Sequence, residues 1–394
     1  MKRIIISAMF CLLAMVAVAQ PPQDSARGQR GPADKNPFFM DQLFKRFMVK
    51  GYAQGGYTYL EKDERNPRQT FINTPNGLVE GPPTFPKSNT FDMKRAYVFC
   101  RAQITDRWFF WFMYDFCGVV NEYYLDFAAF KGGQMNFRMG QFKHPFGLEN
   151  PYSPTKMELI DIYSQATTYL AGCGSDPLYG IQYGRDLGIM MYGDIINKHL
   201  HYEMALLNGQ GVNSKDRNNK KDFAARLEIL PANVFKIVVS GQTGYGNALT
   251  DSNRPFIYTP NINPGDDYKR HRWSFGAEYR STGTDVNRGR ADYWHVRPVV
   301  IRAEYLGGKD GGNPSDGAYI TVASPLFKEF DVVASYDYFN YNKDLRGMEQ
   351  TKYVIGLQYW FYKQCRLQAQ YIYTDTQGAI GSFSTVMLQT QFAF

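Results

Sequence analysis

Beyond its first twenty residues the chain has no continuous apolar run, and a membrane-crossing helix needs about 20 such residues. Cysteine is scarce, with five in 394 residues. Cys11 lies in the N-terminal apolar stretch, and Cys100, Cys117, Cys173 and Cys365 show no CxxC spacing. A disulfide scaffold and a cysteine metal cluster are thereby excluded. Histidine is equally rare, at five; His199 and His201 share a strand face beside Glu203, an i,i+2 pattern that reads as polar wall rather than a zinc site. The charge excess is mild, 44 basic against 37 acidic residues. It lacks the concentrated basic patch of a nucleic-acid binder. Gly241 to Gly246 mimics a phosphate loop only loosely, since it follows a strand but opens no helix. Asp310 to Asn313 lacks the remaining ligand positions of a calcium loop. No nucleophile, base and orienting group can be assembled from the motifs, so neither an enzyme nor a cofactor or metal is expected.

What is present begins with a leader. Lys2 and Arg3 precede an apolar stretch from Ile4 to Val18, and Ala17-Val18-Ala19 offers a small-residue cleavage site before Gln20. Residues 1–19 therefore read as a secretory signal peptide. Its removal leaves a formal charge of +5 from the starting +7, compatible with a lumen that favours anions. Residues 20–46 are rich in Pro, Gln and charge and read as a periplasmic lead-in. The rest carries most of 29 Tyr and 29 Phe in a chain that is polar on average. Its apolar residues alternate rather than cluster, as in a wall with lipid on one side and water on the other.

From Phe47 to Phe394 the pattern is period 2. Phe223, Ala225, Leu227 and Ile229 interleave with Ala224, Arg226 and Glu228. Trp273, Phe275 and Tyr279 interleave with Arg272, Ser274 and Glu278; Leu367, Tyr371 and Tyr373 interleave with Arg366, Gln368 and Gln370. Such runs predict sheet with one wet and one apolar face. The fold expected over residues 47–394 is all-β: a transmembrane antiparallel barrel of about 16 strands, integral to a bacterial outer membrane and its lipid. Two of those strands are placed at 293–307 and 316–324. Short connections at Thr105 to Arg107, Lys131 to Gly133, Pro231 to Asn233 and Tyr362 to Gln364 fall on one end. Long ones at 61–88, 144–184, 209–219, 245–268 and 308–315 fall on the other, as periplasmic turns and extracellular loops do. The connection at 282–292 is longer than that rule likes. Trp108, Phe109, Phe235, Trp294, Phe330, Trp360 and Phe361 sit beside presumed periplasmic turns, where an aromatic girdle belongs. The last run alternates to a terminal Phe394, a mark shared by outer-membrane proteins.

Gly140-Gln141-Phe142-Lys143-His144-Pro145-Phe146-Gly147-Leu148-Glu149 resembles the signature of the phosphate-selective porin O and P family. Gly184-Arg185-Asp186-Leu187-Gly188 resembles that family's return strand, and Asn208 to Asn213 followed by Asp222 to Leu227 resembles its next hairpin. The resemblance implies a sixteen-stranded homotrimeric porin whose long loop, 144–184, folds into the pore, passing small solutes or inorganic anions such as phosphate. Selectivity would then come from basic side chains in the lumen. Those on polar faces here are Arg95, Arg101, Arg138, Arg226, Lys236, Arg272, Arg280, Arg302, Lys352 and Arg366, with Lys143 closing the strand before the loop. Basic groups on a low-dielectric wall concentrate anions. The loop departs from a purely basic pattern: Lys156 is accompanied by Glu149, Glu158 and Asp161, which would moderate or reverse an anion preference. The alternative to a channel is a non-transporting barrel whose outer loops bind or adhere to a partner. An inward-folded loop at 144–184 favours the channel.

Overall fold

The computed structural model describes residues 46–394 except 75–76, 174, 177–179, 182, 250–257, 283–296, 328 and 379. The barrel begins with β1 (Phe47–Leu60). An outlying hairpin of β2 (Arg68–Thr74) and β3 (Gly77–Thr84) follows, then β4 (Ser88–Gln103), β5 (Trp108–Asp115), β6 (Val120–Ala128) and β7 (Asn136–Lys143). The long connection after β7 holds a short helix, α1 (Gln165–Leu170), and a two-residue pairing of β8 (Ser175–Asp176) with β9 (Gly180–Ile181). The wall resumes with β10 (Arg185–Ile195), β11 (Leu200–Leu207), β12 (Asp222–Ala232), β13 (Phe235–Asn247) and β14 (Asp267–Arg280). It continues through β15 (Val300–Asp310), β16 (Asn313–Phe327), β17 (Phe330–Asn340), β18 (Glu349–Tyr362), β19 (Cys365–Thr376) and β20 (Phe383–Ala393).

Leaving out the two hairpins, sixteen strands pair antiparallel with their neighbours, and β1 closes the sheet on β20. Closure removes every sheet edge, which a wall in lipid requires because unpaired backbone groups there have no water to bond. The two faces follow residue parity. On β14, Trp273 and Phe275 are 48% and 55% exposed on the outside, whereas Arg272 and Ser274 between them are 3% and 2% exposed within the barrel.

Sixteen strands agree with the count read from the sequence, but several boundaries differ. The connection placed at 308–315 is a tight turn at Gly311 and Gly312, with Asp310 paired directly to Asn313. Both of these glycines take positive φ, so the backbone reverses in two residues. The strand placed at 293–307 runs Val300–Asp310; residues 283–296 lie outside the described residues, and Arg280 pairs with Val300 across them. The 61–88 segment, expected as a loop, carries the β2–β3 hairpin. Trp108, Phe235 and Phe330 are exposed on the outer face near the short-turn end, as a girdle requires. Trp360 instead points inward, where its indole donates to Asp331 at 2.6 Å. Phe109 lies under the Arg101 guanidinium, and Trp294 lies outside the described residues.

The candidate channel constriction

Two glycines of the 140–149 motif have backbones closed to a side chain, Gly140 within β7 and Gly147 where the chain turns inward. Gly140 has φ of 135°, and a Cβ there would meet the Tyr123 carbonyl oxygen at 2.2 Å. Gly147, with φ of 76°, turns the chain in towards Glu304 on the far wall. Lys143 then fastens the turn: its ammonium donates to the carbonyls of Asn150 at 2.8 Å and Tyr152 at 2.6 Å. Asn150 closes the base by donating to the carbonyls of His144 and Gly184.

From there the loop crosses the lumen and bonds to the opposite wall at each step. The backbone N–H of Leu148 donates to Glu304 at 2.8 Å, and the Tyr152 hydroxyl to Glu278 at 2.6 Å. The Met157 carbonyl accepts from Arg366 at 2.6 Å, and the Glu158 carbonyl accepts from Gln368 and Gln370, each at 3.1 Å. Ser164 caps α1 by accepting from the Thr167 N–H, and the next N–H, Gln165, donates to Asp337. The Leu170 carbonyl accepts from Arg272. Apolar side chains fill what remains. Phe146 and Leu170 pack on Leu306, Tyr319 and Phe339; Leu148 and Met157 pack with Val238; Ile160 packs on Ile372 and Met387. These wall residues break the polar alternation of the inner face because the loop, not water, covers them.

Most basic residues expected in the lumen are engaged by this packing. Arg302 bonds to Glu278 and Glu158, both at 2.8 Å, and Arg280 reaches the same two carboxylates at 3.4 and 3.5 Å. Arg226 lies between Glu203 at 3.2 Å and Glu228 at 2.9 Å, and Lys236 adds to Glu228 at 3.4 Å. Arg272 pairs with Asp310 at 2.7 Å, and Arg138 with Asp126 at 2.7 Å. Arg366 bonds Gln391 and Gln358. Arg101 stands near the short-turn end, 4.4 Å above the Phe109 ring. On the loop, Glu158 is buried in the arginine cluster. Glu149 is buried too, accepting from the Ser164 N–H at 2.8 Å, and burial pushes its carboxyl up to about 8. Lys156 is half-buried.

Asp161 is different, with 57% of its side chain exposed. It faces Lys94 at 3.3 Å, beside Arg95, which donates to Gln54 at 3.1 Å. Burial alone would raise the Asp161 carboxyl, but the Lys94 and Lys352 ammonium groups outweigh it and hold it below its ordinary value. Lys94 and Arg95 are consecutive, yet both face the lumen. The cause is a register shift: Gln54 pairs with Arg95 and Gly55 with Met93, leaving Lys94 as the extra residue of a bulge. Strict alternation from Arg95 puts Lys94 on the lipid side, so only the bulge reveals it. Above this rim, a 260 Å³ cavity is lined by Lys62, Arg65, Lys94 and Lys352 together with Asp63, Glu64, Asp92 and Asp161. Among the described residues no cluster of His, Cys, Asp and Glu could hold a metal ion.

Known proteins match this architecture. Residues 80–250 fit the family model described as phosphate-selective porin O and P. No curated protein matches the chain. Among solved structures, an anion-selective porin from Comamonas acidovorans is 11% identical with a TM-score of 0.55, covering 88% of this chain and 99% of that one. OmpF of Salmonella typhi in complex with daunomycin is 11% identical with a TM-score of 0.57, covering 88% and 97%. OmpT of Vibrio cholerae in its trimer form is 11% identical with a TM-score of 0.55, covering 88% and 99%. At such identities these likenesses speak for the fold. The match over residues 80–250, which resembles the phosphate-selective porin O and P family, and the closed sixteen-stranded barrel together point to an outer-membrane channel for small solutes.

Proposed function

We propose that the channel passes small solutes by passive diffusion and favours anions, inorganic phosphate among them. The observation that carries this reading is the rim. Three wall cations, Lys94, Arg95 and Lys352, gather where the loop offers the exposed carboxylate of Asp161, with Asp92 on the same wall. Elsewhere Glu158, Glu278, Glu203, Glu228, Asp126 and Asp310 balance the expected arginines. Arg226, Arg272, Arg280, Arg302 and Arg366 hold the loop rather than guide ions, so selectivity falls to the rim. Opposed charges across a narrow opening orient a passing ion, and the excess sign sets the preference. Lys143, bonded to loop carbonyls, contributes by fixing the loop.

The trimer form of the Vibrio cholerae neighbour supports a homotrimer for this chain. The leader at residues 1–19 delivers it to the outer membrane. Reversal potential in planar bilayers under a KCl gradient tests selectivity, with phosphate added as competitor. Anion-directed reversal with phosphate block is the expected result. Cation-directed reversal overturns the anion reading, and the absence of conductance from folded barrels overturns the channel itself.

A further inference from the structure

A second cavity, of about 440 Å³, lies beneath loop residues 151–154, towards the short-turn end. Its volume falls within the range of small-molecule sites. Its lining is unusual for a water-filled pore. Phe99 of β4, Trp111 of β5 and Tyr124 of β6 form a row across neighbouring strands, all pointing inward. Phe99 and Trp111 have ring centroids 5.2 Å apart and planes 27° from parallel; Trp111 and Tyr124 are 6.2 Å apart and 15° from parallel. Tyr52 of β1 and His144 of the loop border the same space.

Three polar atoms around this cavity are buried without a hydrogen-bond partner among the described residues: the Tyr52 hydroxyl, the Trp111 indole N–H and His144 Nε2. Leaving such atoms unpaired costs stability, so their recurrence at one cavity points to an occupant that bonds them. Charge narrows its chemistry. The ionic groups that line the cavity are already engaged: Arg185 bonds Glu122 at 2.7 Å, Arg226 bridges Glu203 and Glu228, Lys236 joins Glu228, Arg138 pairs with Asp126 outside the lining, and Lys143 is held by loop carbonyls. Carboxylates and guanidinium groups already held in ion pairs can both accept from and donate to hydroxyls, which suits a ligand rich in hydroxyl groups. A row of aromatic rings offers an apolar surface to C–H bonds, with polar groups at its margins.

We propose that this chamber is a binding subsite for a neutral cyclic polyol, a pyranose sugar of one or two rings, stacked on the Phe99–Trp111–Tyr124 row during passage. The proposal rests on the channel reading above and names a solute class for it. Its site is separate from the charged rim, so ion preference and sugar retention are set by different residues.

The test is ion-current block by maltose and glucose in planar bilayers, with parallel calorimetric titration of detergent-folded barrel by maltose. The wild type should show saturable block by sugar. Trp111→Ala should raise the half-blocking concentration about ten-fold through loss of one stacking face. Trp111→Phe, which keeps a ring, should fall between the two, and heat-modifiable gel migration confirms that each variant is folded. Normal KCl conductance with no saturable sugar block overturns the subsite and leaves the channel standing. Stronger block by benzoate than by maltose, weakened by Trp111→Ala, overturns the neutral-polyol class. If folded barrels do not conduct, maltose binding by titration still supports the subsite, and its absence overturns that as well.

Discussion

Replacing Asp161 by Asn removes one negative charge from the loop rim and changes little else in volume. Because the carboxylate is 57% exposed, the dielectric that applies is close to that of water. An ion passing about 5 Å away feels about 0.8 kcal/mol from a unit charge at that dielectric. At 0.1 M salt, screening over about 10 Å reduces this to about 0.5 kcal/mol. The carboxylate attracts cations and repels anions by equal amounts, so its loss counts twice in their ratio. Asp161→Asn should therefore raise the anion-to-cation permeability ratio about five-fold at 0.1 M. At 1 M salt, with screening over about 3 Å, the same change should fall below about two-fold. Lys94, 3.3 Å from the carboxylate, supplies the converse test: Lys94→Met should shift the ratio towards cations. Reversal potentials under a KCl gradient at both salt levels read each effect. A shift towards cations in Asp161→Asn, or an equal shift at both salts, would refute the placement of Asp161 beside the permeation path.

Two further perturbations address the loop itself. Glu158→Gln weakens the cluster with Arg280 and Arg302, whose guanidinium groups are almost wholly buried; a loss of roughly 3 kcal/mol is expected, read as a lower midpoint for heat-induced unfolding in detergent. An unchanged midpoint would mean that these bonds do not latch the loop. Glu149 tests pH dependence. Its carboxyl is raised by burial from an ordinary 4.5 to about 8, with Glu304 adding to the rise and Arg302 opposing it. The native state then holds its proton more tightly than the unfolded state, so the contribution is full below pH 4.5 and is lost as pH rises through about 8. Hydrogen exchange of residues 144–184 should show weaker protection at pH 9 than at pH 6, and Glu149→Gln should flatten that difference. A pH response identical to the wild type would assign it to another group.

The wall was legible because period 2 is a local signal: each strand announces its inner and outer face without reference to any other. The inward loop was legible only through its resemblance to a known motif, in which Gly147 is the glycine that turns the chain. The fate of the lumen arginines was not. Arg302 and Glu158 are 144 residues apart, and nothing local marks them as partners. Lys94 escaped for a different reason, since one extra residue in β4 changes the parity of everything beyond it. The tight turn after Asp310 was hidden because Gly311 and Gly312 sit in a polar stretch that reads equally well as a longer loop.

The bonds that pin the loop also carry a consequence for the order of assembly. The loop follows the fifth barrel strand, yet Glu158 receives its backbone bonds from Gln368 and Gln370, and Gln54 reaches Pro154 beside the seam where first and last strands meet. Contacts of such sequence separation form slowly, because a long chain must be ordered before they are rewarded. The loop therefore seats only after the final strands are in place. Until then the inner face of the growing sheet presents its arginines to solvent, and protection of residues 144–184 from protease would date the completion of the wall rather than its beginning.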